Sequence, residues 1–277
     1  MYAHFITKKF IPFLKKNGVR SVEDIDTAML ARFQNHLLNA TMQPQTVNGY
    51  LGGIRMIFNH LVTTGYAKTN PCGGLPPLKV RKVKATGCYE IDKMKGILTT
   101  EWENRKHYLL ILLIYSTGMR NSEINKIQLS DIIEIDGVKF IDIPKSKTIN
   151  GERVVPLHPF VHSAILNYAT EKTDFLFPQT SGTFGALCMR ANLSLAQYTG
   201  YSQEMLEKEN IIFYSGRYFW KTMMNKEGLG EDIEEVFMGH KVSADVAKRY
   251  NRKDKWGQAA LVEKAREVFA ALDKRLF

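Results

Sequence analysis

Apolar positions recur at helical spacing through most of the chain, and the period changes to two over one short stretch. Phe5 to Leu14 predicts a first helix. Ser21 and Asp24 read as a capping box, after which Leu30, Phe33, Leu37 and Leu38 predict a second helix of about three turns. Val47, Tyr50, Leu51, Ile54, Phe58 and Leu61 mark a third, entered after Pro44 and Gln45 and stopped by Gly65 and by Asn70-Pro71. Pro76-Pro77 and the basic run Lys79, Arg81, Lys82 and Lys84 before Gly87 have no apolar period and predict an extended linker.

Helical patterns resume through Ile97 and from Leu109 to Tyr115, broken at Gly118. Ile132 to Ile135, the turn pair Asp136-Gly137 and Val138 to Ile143 then predict a hairpin, with a third strand from Arg153 to Leu157. Lys145 and Lys147 fall between the last two strands. From Pro159 the pattern is mostly helical and ends in an amphipathic stretch with Leu261, Ala265, Val268, Phe269 and Leu272 on one face. The expected fold is mainly α with a small antiparallel β-sheet. Its expected division is a helical bundle over residues 1–80, a basic linker over 81–87, and an α+β domain over 88–277 that includes the C-terminal helix.

Charge sharpens this division. The net charge is +10, and residues 1–87 hold 12 Lys or Arg against 3 Asp or Glu, so nearly all of the excess lies in the first third. An anionic partner is therefore expected there. On the polar face of the third helix Gln45, Asn48, Arg55 and Asn59 are candidates to meet phosphates or base edges, and Lys79, Arg81, Lys82 and Lys84 to follow a phosphate backbone. Each is equally well read as part of a solvated face. No run reaches the roughly 20 apolar residues of a membrane span, and no secretory signal opens the chain. Cys72, Cys88 and Cys188 are odd in number and far apart, which fits neither a disulfide framework nor a zinc site, so a reducing cytoplasm is expected. No cluster of Asp, Glu or His has metal-ligand spacing.

The segment Ser116-Thr117-Gly118-Met119-Arg120-Asn121-Ser122-Glu123 places an arginine at a break between helices with a carboxylate three residues on. Alone that is an ordinary ion pair. It is followed in order by Lys147, by Tyr214-Ser215-Gly216-Arg217, by Met238-Gly239-His240 and by Tyr250. This ordered series resembles the tyrosine recombinases, the family of phage integrases and of the recombinases that resolve chromosome dimers. The catalytic pattern spans most of residues 88–277, and the basic helical region before it is similar to the family's core-binding domain.

The resemblance implies site-specific cleavage and rejoining of double-stranded DNA through a 3'-phosphotyrosine, with no cofactor. Phosphodiester cleavage builds negative charge on the non-bridging oxygens, for which Arg120 and Arg217 offer planar, permanently charged forks. Tyr250 is the implied nucleophile and Tyr218 the lesser candidate. Lys147, with Lys145 as the alternative, protonates the departing 5'-oxygen. His240 steadies a non-bridging oxygen, and Glu123 orients Arg120 or a neighbour. The resemblance further implies a tetramer on paired sites, held through the C-terminal helix, accessory DNA-bending proteins, and a cytoplasmic, nucleoid-associated protein.

Two departures stand out. Tyr214 occupies the position of the family's first His in His-x-x-Arg, as it does in certain hairpin telomere resolvases. A phenol titrating near about pH 10 is a poor base at neutrality, which leaves the activator of Tyr250 open. The interval from His240 to Tyr250 is also one residue longer than is usual. A DNA-binding regulator that has lost the chemistry, and a strand transferase of the type IB topoisomerase or telomere-resolvase kind, remain as alternatives.

Overall fold

A computed structural model describes residues 2–80, 84–143, 153–169, 175–177, 181–229, 233, 236–239, 249–250 and 255–277. The chain folds into two compact units, Met1–Val83 and Lys84–Phe277. Among the described residues no helix is long and apolar enough to cross a membrane.

The first unit is all helical. Helix α1 (residues 2–16) is continuous through α-helical Tyr2–Phe5, a π-turn at Ile6–Phe10 and α-helical Ile11–Lys16. The capping box at Ser21 does not open the next helix. It closes a separate 3-10 turn, Val22–Asp24, and Asp26 instead caps α2 (Thr27–Asn39) by accepting from the Met29 N–H at 2.6 Å. The capping-box signature is local and does not specify how far the turn continues. Helix α3 (Pro44–Thr63) begins with proline in its first turn, where no N–H is missed. Leu30, Phe33, Leu37, Val47, Ile54 and Phe58 form the core, with Phe33 against Phe10 and Phe13 at 4.9 Å and Tyr50 stacked on Phe5 at 3.6 Å.

The second unit is built round α4 (Arg105–Thr117), whose residues Leu109 to Thr117 are all buried. A helix apolar on every side belongs at a centre, and α4 packs against several later helices of its unit. Asn104 caps its start, and it ends at Gly118, whose φ of +61° is a left-handed conformation that glycine adopts without strain. A Cβ at Gly118 would meet the Trp220 ring at 3.0 Å. The one-turn α5 (Asn121–Ile124) follows. The pattern through Ile97 predicts helix; the structure has a one-turn α-helix, Ile91–Met94, followed by a 3-10 turn, Ile97–Thr99.

Strands β1 (Ile132–Ile135), β2 (Val138–Ile143) and β3 (Arg153–Pro156) form an antiparallel sheet in that order. Asp136 and Gly137 both have positive φ, as the two-residue turn between β1 and β2 requires, and Ile143 pairs with Arg153. Helices α6 (Pro159–Tyr168), α7 (Ser181–Thr199), α8 (Gln203–Glu209), α9 (Ser215–Lys226) and α10 (Lys255–Arg275) complete the unit. Leu261, Val262, Ala265, Val268 and Leu272 of α10 are buried within their own chain. Beyond them, Lys274 and Arg275 pair with Glu227, and the Gly96 N–H donates to the Leu276 carbonyl at 3.0 Å.

Candidate active site

The turn after Gly118 makes Arg120 the N-cap of α5. Its backbone N–H donates to Glu123 Oε2 at 2.7 Å, its Nη1 to Oε1 at 2.9 Å, and its Nη2 to the Gly239 carbonyl at 2.9 Å. Its side chain is 34% exposed. Arg120 is therefore held in orientation yet open to solvent, with described residues occupying two of its five N–H donors.

Glu123 also accepts a two-pronged contact from Arg153, Nη1 to Oε1 at 3.0 Å and Nη2 to Oε2 at 2.9 Å. Burial alone would raise the Glu123 pKa. The hydrogen bonds and charge of Arg153, then those of Arg120, overcome this and hold it at about 2. Arg153 Nε donates to the Phe237 carbonyl at 2.6 Å.

Arg217, in the first turn of α9, is 4% exposed. It donates from Nη1 to the Gly118 carbonyl and from Nη2 to the Met238 carbonyl at 2.8 Å. Burial lowers its pKa to about 10, so it stays charged at neutral pH. Three arginines thus grip three consecutive carbonyls: Arg153 holds Phe237, Arg217 holds Met238, and Arg120 holds Gly239.

Tyr214 is the N-cap residue of α9 and lies edge-on to Tyr218, with ring centres 5.6 Å apart. It also lines a cavity of about 610 Å³ together with Asn121, Cys188, Asn192 and Leu206. Tyr250 is 9% exposed and belongs to the core of the second unit. The hydrogen bond from Lys264 to Glu267 is the main cause of the raised Lys264 pKa, and the Tyr250 phenol adds to it from nearby. The described contacts gather Arg120, Glu123 and Arg217 into one cluster; they do not include Tyr250. Lys145, Lys147 and His240 lie outside the described residues.

In the first unit Gln45 is exposed, as are Lys79 and, in the second unit, Lys84. Arg81 and Lys82 lie outside the described residues. On the polar face of α3 Arg55 and Asn59 are exposed as well and Asn48 is half-buried, and part of this face makes contacts within the unit. Asn48 donates to the Leu78 carbonyl at 2.9 Å and accepts from the Leu78 N–H at 2.8 Å. Arg55 Nη2 donates to the carbonyls of Cys72 and Leu75 at 3.2 and 3.3 Å, and Asn70 donates to Asn59 at 2.6 Å. After Asn70 a 3-10 turn, Pro71–Gly74, leads into a stretch with neither ladder nor helix, and side chains of α3 satisfy backbone groups of both. Asn48 is a clamp on that segment, and Arg55 is partly one.

Sequence reading missed Arg153, treating it only as the start of a strand. Its signal was a cation heading the run Val154-Val155-Pro156, in a strand buried at every position. A buried cation calls for a paired anion.

The phage integrase family model matches residues 89–256, more than half of the chain, and the phage integrase SAM-like domain matches residues 4–75. A tyrosine recombinase of Pseudothermotoga lettingae is 22% identical over 243 residues, covering 84% of this chain and 80% of the relative. The tyrosine recombinase XerD of Staphylococcus epidermidis is 22% identical over 237 residues, covering 84% and 75%. Among solved structures, the Tn1549 transposon integrase in complex with transposon right end DNA has a TM-score of 0.61 at 16% identity, covering 88% of this chain and 87% of that one. A lambda integrase dimer bound to a COC' core site has a TM-score of 0.57 at 19% identity, covering 86% and 89%. The chain belongs to the phage integrase family. It is a mainly helical protein with one small antiparallel sheet, in the fold of the lambda-type tyrosine recombinases.

Proposed function

We propose that this protein is a site-specific DNA recombinase that cuts and rejoins strands through a covalent bond between Tyr250 and a 3'-phosphate. Within a chain of this family, the observation that carries the reading is the Arg120 guanidinium, fixed by Glu123 and Gly239 while a third of its side chain stays open to solvent. Such a group meets the oxygens of a scissile phosphate in a set orientation and needs little rearrangement as charge develops there. Arg217 adds a second, buried positive charge behind it.

Tyr250 Oη gives its own proton to solvent water as it attacks phosphorus, the bond to the 5'-oxygen breaks, and Lys147 gives that oxygen its proton. The bond energy is kept in the phosphotyrosine, so an incoming 5'-hydroxyl rejoins the strand without ATP. Because Tyr250 is 9% exposed, engagement of DNA has to present its hydroxyl. Tyr214 and His240 act as hydrogen-bond donors to the phosphate. Since a phenol is a poor base near neutrality, the Tyr214 site cleaves slowly.

Residues 1–80 form the core-binding domain, with Gln45, Arg55 and Lys79 as phosphate contacts. The basic linker 81–87, with Arg81, Lys82 and Lys84, follows the DNA backbone, and 88–277 is the catalytic domain. The lambda integrase and Tn1549 integrase structures are complexes with DNA, and lambda integrase is seen as a dimer and as a tetramer. The same assembly on paired sites is proposed here. Exchange of α10 between protomers would bury in a neighbour the apolar face that it now buries in its own chain. Accessory DNA-bending proteins set the outcome, at the nucleoid in the cytoplasm.

The test is incubation with nicked duplexes carrying candidate sites from the protein's own genomic neighbourhood, without metal or ATP. A protein–DNA adduct on a denaturing gel, lost in Tyr250→Phe, is the expected result. Specific binding with no adduct on any duplex would overturn the enzymatic reading.

A further inference from the structure

Glu123 and Arg153 form a contact that the reaction itself does not require. Glu123 is 10% exposed and Arg153 5% exposed by side chain, and the two are joined by paired hydrogen bonds. The same carboxylate fixes Arg120 through both its backbone N–H and its guanidinium. The remaining prong of Arg153, Nε, holds the Phe237 carbonyl, and Arg120 holds Gly239 two residues on. Residues 120, 123, 153, 237 and 239 therefore close one ring of contacts: Arg153 to Glu123, Glu123 to Arg120, Arg120 to Gly239, and back along the chain to Phe237. Gly239 fits this ring closely, with a φ of +67° and with the position of a Cβ only 3.0 Å from Arg153 Nη1.

From this ring we infer that Arg153 is a positioning residue for the proposed strand cleavage. It sets the orientation of Arg120 toward the phosphate by locking Glu123, and it fixes the turn through Gly239 that leads into His240. It touches neither substrate nor reacting atoms. Lysine cannot replace it, because one ammonium has neither the planar fork for both carboxylate oxygens nor a third donor aimed at Phe237. A displacement of about 1 Å in a group that stabilises the transition state lowers a rate about 100-fold while binding survives.

This inference rests on the recombinase reading. Its test uses the full chain and two nicked duplexes that carry the same site. One has the ordinary scissile phosphodiester. In the other a methylphosphonate replaces it, with a methyl group in place of one non-bridging oxygen, so that the ground state is neutral and one unit less negative charge faces Arg120 in the transition state. Adduct formation is timed with protein in excess, and DNA affinity and unfolding by tryptophan emission are measured alongside. Arg153→Lys is expected to slow the phosphodiester reaction about 100-fold, to slow the methylphosphonate reaction about 10-fold or less, and to leave DNA affinity unchanged. Gly239→Ala, which keeps both partners and crowds the guanidinium, is expected to show the same selective loss and stands in if Arg153→Lys does not fold. Equal losses on the two duplexes would mean that Arg153 only supports the fold, and a wild-type rate would mean that the ring does not matter; either overturns the inference. If the unaltered protein makes no adduct on either duplex, the recombinase reading itself fails and this inference falls with it.

Discussion

Glu123 gives the sharpest quantitative prediction. Its pKa falls from an ordinary 4.5 to about 2 in the folded protein, because two arginines stabilise its charged form more than burial opposes it. A folded pKa below the unfolded one contributes stability above the unfolded value, and that stability is lost as pH falls through the folded value. The difference corresponds to about 3 kcal/mol of stability at pH 7, shrinking to about half of that at pH 3. The side chain is only 10% exposed, so solvent screening takes little from this figure. Glu123→Gln keeps the shape and removes the charge, leaving Arg153 buried without its anion. The variant should lose about 3 kcal/mol at pH 7, or about 6–12 °C in Tm for a unit of this size.

The assay is built into the sequence. Trp102, Trp220 and Trp256 are the protein's 3 tryptophans, and all lie in the unit Lys84–Phe277. Denaturant unfolding followed by tryptophan emission therefore reads the second unit alone. The gap between wild type and Glu123→Gln should be widest near pH 7 and narrow steadily between pH 4.5 and pH 2. A gap below about 1 kcal/mol at pH 7, or one that does not change with pH, would refute the assignment of Glu123 as the buried anion of the arginine cluster.

Three further outcomes are expected. Gly118→Ala forces a methyl group to 3.0 Å from Trp220 on a left-handed backbone, and tryptophan-detected unfolding should show a loss of about 2–3 kcal/mol; a loss near zero would mean that the turn before Arg120 is pliable. Asn48→Ala removes both bonds to Leu78, so hydrogen exchange of the Leu78 amide should accelerate and the first unit lose about 2 kcal/mol, whereas unchanged exchange would return Asn48 to the list of DNA contacts. Tyr214→His should raise the cleavage rate about 10-fold or more and Tyr214→Phe should lower it; two flat results would show that this position takes no part in the chemistry.

The fold was legible where its causes are local. The Asp136-Gly137 turn, the proline in the first turn of α3, the stop at Gly118 and the apolar stripe of α10 each follow from residues within a few positions of one another. The boundary of α2 was not, because Ser21 and Asp24 satisfy a capping pattern that a single 3-10 turn also satisfies. The site divides in the same way. Arg120 and Glu123 are three apart and readable as a pair, but the arginine that completes them comes from a strand 30 residues on and the carbonyls they hold from beyond residue 236. Asn48 and Leu78, likewise 30 apart, meet only because an extended segment crosses a helix. The burial of Tyr250 depends on the packing of the second unit's core, which no periodicity near residue 250 records.

The central claim is that Tyr250 forms the covalent bond to DNA, and the most direct measurement is the mass of the linked peptide. After adduct formation on a nicked duplex, nuclease and trypsin should leave nucleotide on the short peptide Tyr250–Arg252, and the cut strand should carry a free 5'-hydroxyl. Nucleotide on a peptide bearing Tyr214 or Tyr218, or a 5'-phosphate joined to the protein, would contradict it.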